Sequence, residues 1–188
     1  EQLEAINIGI KQARKNLESK SSEENRSNNE WTMPHTALGD FGEEYELRAL
    51  TAWNFLYANV NAEATYIRAY CDSDGEKLNA DGHTYEISFK DHNTPSSVFF
   101  WSMTLYDGKS YFLYKNDIKR YSIGDRTPAV ANSKQAGFKV ILSHEPQNET
   151  EGIVWLPAPK GPFYLALRYY GLDDIRKLNL PNIINKTR

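Results

Sequence analysis

The sequence lacks most of the features by which enzyme classes are recognised. Its single cysteine, Cys71, excludes an intrachain disulfide and a thiolate metal cluster. The four histidines form neither an HExxH motif nor a close His-x-His pair, so we predict no bound metal. No G-x-S-x-G elbow and no glycine-rich phosphate loop occurs, which argues against nucleotide chemistry. We therefore predict no cofactor, and an enzyme here would have to rely on carboxylate, histidine or tyrosine acid–base catalysis.

Strong net charge and long apolar runs are also missing. The formal net charge of −3 and the pI near 5.9 argue against a nucleic-acid partner. No apolar run approaches the roughly 18–20 residues that cross a bilayer, so we predict a soluble chain without a membrane span. These features do not distinguish an exported protein from a cytoplasmic one. Aromatic residues make up 13% of the chain, including 12 tyrosines, and this favours a β-rich body.

The first 30 residues predict an amphipathic helix followed by a polar linker. Over residues 2–18 the apolar side chains recur at intervals of three and four, as on one face of a helix. The stripe consists of Leu3, Ile6, Ile10, Ala13 and Leu17. Packing of the stripe on its own domain is the favoured interpretation, and the alternative is a contact that forms a homo-oligomer. Residues 19–30 contain no apolar side chain and predict a flexible linker.

The remaining chain, residues 31–188, predicts one β-sandwich domain with a leading helix at about 41–58. Asp40 is a suitable N-cap for this helix, and Glu43 completes a capping-box pattern. Beyond the helix the apolar period changes to two, as in half-buried strands. Strands are predicted at 65–71, 84–89, 99–106, 110–115, 137–143 and 162–170. Because no helices are predicted between them, the strands imply an antiparallel sandwich or barrel.

Four motifs in the second half of the chain combine large aromatic residues with Arg, Asp, His, Gly and Pro. They are FWSMTLYD (100–107), RYSIGDRTP (120–128), LSHEP (142–146) and WLPAP (155–159). With these motifs the chain resembles the domain-of-unknown-function family 1214, which often forms the C-terminal half of proteins that also carry the 1254 domain. The resemblance covers about residues 40–170, so the domain is expected to be nearly stand-alone here. It implies a mainly β, jelly-roll-like sandwich with flanking N-terminal helices and implies no activity.

The RYSIGDRTP motif has a structural and a functional interpretation. In the structural one, Asp125 caps a rigid corner and Arg126 forms a salt bridge there. In the functional one, Arg120 or Arg126 clamps an anion together with Arg168. Arg168 shares one face of the predicted 162–170 strand with Tyr164, an arrangement that suits either a covered polar surface or the wall of a ligand pocket.

Two classes of function follow from these residues. The favoured one is a binding module for a polar, sugar-like or carboxylated small molecule, or for a partner protein. Its candidate ligand-binding residues are Arg120, Arg126, Trp155, Tyr164 and Arg168. The alternative is an acid–base enzyme, of lyase, isomerase or hydrolase type, that acts on a small anionic substrate through His144 or Asp125. Convergence of His144, Asp125 and Arg126 on one pocket would favour the enzyme.

Overall fold

The body of the protein consists of two four-stranded sheets. The computed structural model describes residues 2–25, 30–55, 57–90, 99–133, 137–172, 174–175 and 178–187. The helices are α1 (Gln2–Asn25), α2 (Tyr45–Phe55) and the short α3 (Pro128–Ala131). The strands are β1 (Ala64–Ala69), β2 (Thr84–Phe89), β3 (Phe100–Asp107), β4 (Ser122–Gly124), β5 (Phe138–Ser143), β6 (Ile153–Pro157), β7 (Phe163–Tyr170) and β8 (Ile183–Asn185). The prediction of a mainly β protein is confirmed, and the jelly-roll topology stays a prediction.

The two sheets differ in the direction of their strands. The first sheet has the order β1-β7-β3-β4 and is antiparallel throughout. The second has the order β6-β5-β2-β8, in which β5 and β6 run parallel. After β5 the chain returns to the beginning of that strand before β6 starts, so β6 runs in the same direction as β5. At this point the Lys139 N–H donates a hydrogen bond of 2.7 Å to the Gly152 carbonyl. The expectation of an entirely antiparallel sandwich was therefore wrong for this pair.

The core lies between the sheets and follows from the alternation of apolar residues along the strands. In β7 the side chains of Phe163, Leu165, Leu167 and Tyr169 are buried in one cluster with residues of both sheets. Across the core the ring of Tyr85 meets Phe163 edge-on, at 5.7 Å between centroids. Burial of this apolar surface is the main source of stability. It also leaves the second face of β7, with Tyr164 and Arg168, directed away from the core.

The first helix is longer than predicted. It continues to Asn25, so the predicted linker is wrong over residues 19–25, and residues 26–29 lie outside the described part of the chain. Two residues of this last part make polar contacts with α2. The Lys20 ammonium pairs with the Glu46 carboxylate at 2.6 Å, and the Ser21 hydroxyl donates a hydrogen bond of 2.6 Å to Asn54 on α2. None of the helices in the described ranges is long and apolar enough to cross a membrane.

The second helix is present but shorter than predicted. It begins at Tyr45 rather than at 41, so Asp40 is not its N-cap. Gly42 has a φ of +49°, which lies in the left-handed region and is incompatible with a right-handed helix at this position. After Phe55 the chain leaves the helix, and Tyr57 has a φ of +70°. The apolar pattern located this helix correctly, and the backbone on both sides of it fixed its ends.

Four further differences concern short or irregular segments. Residues 110–115 form an irregular loop rather than a strand, with a single bridge between Tyr106 and Leu113. Strands β4 and β8 have three residues each, too few for a period of two to be recognised. The proline-rich segment that includes Trp155 forms the regular strand β6. Cys71 is buried, but it lies at an isolated bridge to Lys77, because the strand predicted at 65–71 ends at Ala69.

Candidate functional site

The outer face of the first sheet carries tyrosine and arginine side chains. The antiparallel register places Tyr66 opposite Arg168 and Arg68 opposite Ala166 on β1 and β7. On the other side of β7, Tyr106 lies opposite Tyr164. Because side chains at every second position share a face of a strand, all of these point away from the core. Three adjacent strands thus contribute to one polar and aromatic surface.

Both long helices border this surface and turn it into a cleft. Ser21 of α1, Trp53 and Asn54 of α2, and Tyr57 after α2 lie opposite the sheet. The enclosed space has a volume of about 700 Å³, which is large enough for a small molecule. The described residues that line it include no aspartate and no glutamate. The cleft therefore combines aromatic walls with cationic and neutral polar groups.

A row of stacked tyrosine rings crosses the three strands. The ring of Tyr164 on β7 stacks on Tyr70 at 5.3 Å and on Tyr106 of β3 at 5.1 Å between centroids. Tyr111, in the loop after β3, approaches Tyr164 at 6.2 Å. Burial, together with the neighbouring Tyr70 and Tyr106, raises the pKa of Tyr164, so its phenol stays neutral. In the part of the chain that the structure describes, the Tyr164 hydroxyl has no hydrogen-bond partner.

Both cleft arginines donate hydrogen bonds to hydroxyl groups. The Arg168 guanidinium donates hydrogen bonds to the Thr104 hydroxyl at 3.0 Å and to the Tyr106 hydroxyl at 2.8 Å. The Arg68 guanidinium donates to the Tyr70 hydroxyl at 3.1 Å. Arg68 is buried, with 8% of its surface exposed, and Arg168 is partly buried. The described acceptors of Arg168 are neutral hydroxyls, and a partly buried cation with neutral acceptors favours an anion nearby, because such acceptors replace only part of its hydration.

Two of the predicted ligand-binding residues, Tyr164 and Arg168, lie in this cleft. Arg120 and Trp155 lie together elsewhere. The Arg120 guanidinium donates two hydrogen bonds to the Glu149 carboxylate and one of 2.6 Å to the Trp155 carbonyl. Glu149 also accepts the Trp155 N–H at 2.8 Å. These contacts join the segment before β4 to β6 of the other sheet.

The predicted pair of Asp125 and Arg126 is not formed. No ion pair joins these residues, both of which lie in the described ranges. Arg126 lies instead over the Phe100 ring, at 5.3 Å from the guanidinium carbon to the centroid. Phe100 in turn stacks on Tyr170 at 4.1 Å. Arg126 is thus an exposed cation on the same outer face as the cleft but outside its lining.

The RYSIGDRTP segment builds an edge strand, a turn and the beginning of α3. A β-carbon on Gly124 would lie 2.4 Å from the Trp101 carbonyl oxygen, so only glycine allows β4 to approach β3 this closely. The Thr127 hydroxyl accepts the Gly124 N–H at 3.0 Å, and Pro128 is the first residue of α3. Gly124, Thr127 and Pro128 of the motif therefore have structural roles.

The acid–base candidates do not converge. His144 follows β5 in the second sheet, where its Nδ1 lies 3.2 Å from the Ala158 carbonyl oxygen. It borders a small pocket of about 260 Å³ with His83 and Lys160. Asp125 and Arg126 follow β4 of the first sheet and are not among its lining residues. Nor do the described residues contain a group of three His, Cys, Asp or Glu side chains that could hold a metal ion.

Sequence reasoning predicted only Tyr164 and Arg168 among the described residues of the cleft. The residues that it overlooked include Tyr66, Arg68, Tyr70 and Tyr106. The signal for the first three was available, because they alternate along the chain with the buried Ile67, Ala69 and Cys71. The alternation that assigned Arg168 to the face of its strand opposite the core would also have assigned these three residues to that face.

Together these features define a two-sheet β protein with a helix-bordered cleft of tyrosines and arginines on one outer face. The family model for the proteins of unknown function DUF1214 matches residues 63–174, and the chain belongs to this family. The matched residues include β1, β3 and β7, which supply the sheet side of the cleft, whereas α1 and α2 precede them. A search of the curated proteins found no match.

Among solved structures, the chain is similar to the VPA0106 protein from Vibrio parahaemolyticus. The sequences are 27% identical, the TM-score is 0.68, and the similarity covers 98% of this chain and 45% of that chain. The chain thus spans slightly less than half the length of the Vibrio protein. It is also similar to an uncharacterised protein from Burkholderia cenocepacia, at 16% identity and a TM-score of 0.45, over 81% of this chain and 34% of that chain.

Proposed function

We propose that the protein is a binding module that takes a small anionic molecule, such as a carboxylated ligand, into the tyrosine–arginine cleft. The observation that carries this proposal is the position of Arg168. Its charged group is held at the wall of the cleft by two neutral hydroxyls. A ligand carboxylate would complete the coordination of this guanidinium, because a guanidinium has five donors and Thr104 and Tyr106 take two of them.

The remaining walls suit an organic ligand with hydroxyl groups or a flat face. The stacked rings of Tyr70, Tyr164 and Tyr106 present aromatic surface. The neutral Tyr164 hydroxyl can donate to a ligand oxygen or accept from a ligand hydroxyl. Aromatic walls with a few fixed polar groups are typical of small-molecule sites. A hydroxylated, sugar-like carboxylate would use both kinds of contact.

An acid–base enzyme is the second candidate, and it is less well supported. A group that transfers protons near neutral pH works best with a pKa near the working pH. The Tyr164 hydroxyl, at the centre of the tyrosine row, has a pKa that burial raises away from that range. His144 and Asp125, the candidates from the sequence, lie in different parts of the fold. Binding without turnover is therefore the function that the cleft supports best.

A thermal-shift screen of small carboxylates against the whole chain tests the proposal. A ligand at about 100 times its dissociation constant stabilises the folded state by about 2.7 kcal/mol. We expect at least one acid to raise the melting temperature of the wild type but not that of Arg168→Met. Arg126→Met is the matched control, because it removes an exposed cation of the same sheet face outside the cleft. Equal shifts in all three proteins would contradict the proposal.

A further inference from the structure

We infer that the ligand carries two anionic groups on a short spacer, as a small dicarboxylate does, with one carboxylate at Arg68 and the other at Arg168. This inference rests on the proposed function and specifies the class of ligand. The two cations come from adjacent strands, and the geometry between them is set by the register of β1 and β7.

The register places the two arginines diagonally across the strand pair. Arg68 lies opposite Ala166, and Arg168 is two residues further along β7 on the same face. Side chains in such diagonal positions start roughly 7–8 Å apart. Ala166 stands between them on β7 and contributes only a methyl group to the floor of the cleft. The small side chain leaves room for the middle of a ligand that reaches both cations.

The hydrogen bonds of the arginines hold the two guanidinium groups apart. Arg68 is bound to Tyr70 at one end of the tyrosine row, and Arg168 is bound to Tyr106 at the other. The ring of Tyr164 lies between those two rings, about 5 Å from each. The tyrosine partners of the two cations therefore lie on opposite sides of the Tyr164 ring.

This separation favours two anionic groups over one. Each guanidinium is bound to a different tyrosine, and the Tyr164 ring lies between these two tyrosines. A dicarboxylate could reach both cations while each keeps its tyrosine partner, and its spacer would cross Tyr164. Each carboxylate could accept charge-assisted hydrogen bonds, which are stronger than bonds between neutral groups. Any hydroxyl group on the spacer would face Tyr164.

Isothermal titration calorimetry of the whole chain with matched acids tests the inference. Succinate, glutarate and adipate are each compared with their monoamides, which keep the shape and remove one charge. Inorganic phosphate serves as a compact anion. We expect one diacid to bind at least about tenfold more tightly than its monoamide, corresponding to about 1.4 kcal/mol. Phosphate is expected to bind more weakly than that diacid.

Variants then connect the preference to the two cations. In Arg68→Met and in Arg168→Met the ratio between diacid and monoamide should fall towards one. Because Arg68 is buried, Arg68→Lys provides a second variant that keeps the charge, and it should retain a part of the preference. The comparison of each diacid with its monoamide on the wild type tests the inference even if a variant fails to fold.

The possible failures are distinguishable. If a monoamide binds the wild type as tightly as its diacid and its binding requires Arg168, the proposed function stands and the two-anion inference is refuted. A preference for the diacid that survives in folded Arg68→Met would refute it equally. Tighter binding of phosphate than of every diacid would indicate one compact anion site. If none of the acids and no phosphate binds, both the inference and the anion-binding function are contradicted.

Discussion

Arg168 on β7 donates a hydrogen bond of 2.8 Å to the hydroxyl of Tyr106 on β3. The two residues are neither directly opposite each other nor adjacent in sequence, and the bond exists because both point to the outer face of the sheet. It holds a cation at the wall of the cleft without neutralising its charge. This relationship makes the cleft a candidate anion site and not merely a solvated surface.

Removing the hydroxyl of Tyr106 should weaken ligand binding more than it weakens the fold. Tyr106→Phe keeps the ring that stacks on Tyr164 but releases one end of the Arg168 guanidinium. Since a hydrogen bond contributes about 1 kcal/mol, we expect the affinity for a bound carboxylate to fall about fivefold. Calorimetric titration measures this change. Tyr170→Phe, on the same face but outside the cleft lining, is the control, and an equal loss in both variants would argue against the specific role of Tyr106.

The link between Arg120, Glu149 and Trp155 should contribute pH-dependent stability. Partial burial acts to raise the pKa of Glu149, but the hydrogen bonds from Arg120 and the Trp155 N–H outweigh it, and the pKa is lowered. A lowered carboxyl pKa stabilises the fold above the ordinary glutamate pKa of about 4.3, and this contribution is lost as the pH falls through the lowered value.

Glu149→Gln removes this titration. Because 38% of the Glu149 side chain is exposed, we expect the variant to lose only about 1 kcal/mol of unfolding free energy near neutral pH. The difference from the wild type should shrink at acid pH. Urea unfolding of both proteins over the acid range measures it. A difference that stays constant with pH would show that the ion pair does not contribute as described.

The apolar stripe of α1 is proposed to mediate self-association. Leu3, Ile6 and Ile10 expose 71%, 58% and 61% of their surfaces, more than a helix packed on its own domain would leave accessible. The double variant Ile6→Ser/Ile10→Ser should therefore lower the apparent mass in light scattering at high protein concentration. Ile8→Ser, which changes an exposed isoleucine outside the stripe, should not. A monomeric wild type at all concentrations would remove the basis for this proposal.

A chain that begins at Trp31 is predicted to fold. The core cluster draws on both sheets and includes no residue of α1, whose contacts with α2 include the Lys20–Glu46 and Ser21–Asn54 pairs. We expect the shortened chain to keep its β-type circular dichroism and a cooperative melt. Because Ser21 lines the cleft, ligand affinity should decrease at the same time. Loss of the β signal would mean that α1 is required for the sheets to form.

The sequence predicted those parts of the fold and site that depend on local pattern. Strand β7 has strict alternation, so Tyr164 and Arg168 could be assigned to one face and Leu165 and Leu167 to the core. The end of α1 could not be predicted in the same way, because it is stabilised by polar contacts with α2. These contacts join residues far apart in the chain, and no local period records them.

The partners of the arginines also depend on contacts between residues far apart in the chain. That Arg120 would bind Glu149, or that Arg126 would lie over Phe100, depends on which strands become neighbours and on the register between them. The RYSIGDRTP motif indicated that its residues are constrained but did not reveal by what. In contrast, Tyr66 and Arg68 follow a simple alternation on β1 and could have been predicted. The sequence could not predict that β1, β7 and β3 lie next to one another or that α1 and α2 border their outer face.

The central claim is that Arg168 binds an anionic ligand in the tyrosine-lined cleft. The most direct test is the dissociation constant, by isothermal titration calorimetry, of a carboxylate identified by screening, for the wild type, Arg168→Met and Arg126→Met. We expect a loss of at least about 30-fold in Arg168→Met, corresponding to about 2 kcal/mol for a charged hydrogen-bonded contact, and a change of less than about twofold in Arg126→Met. Unchanged affinity in a folded Arg168→Met protein would contradict the claim.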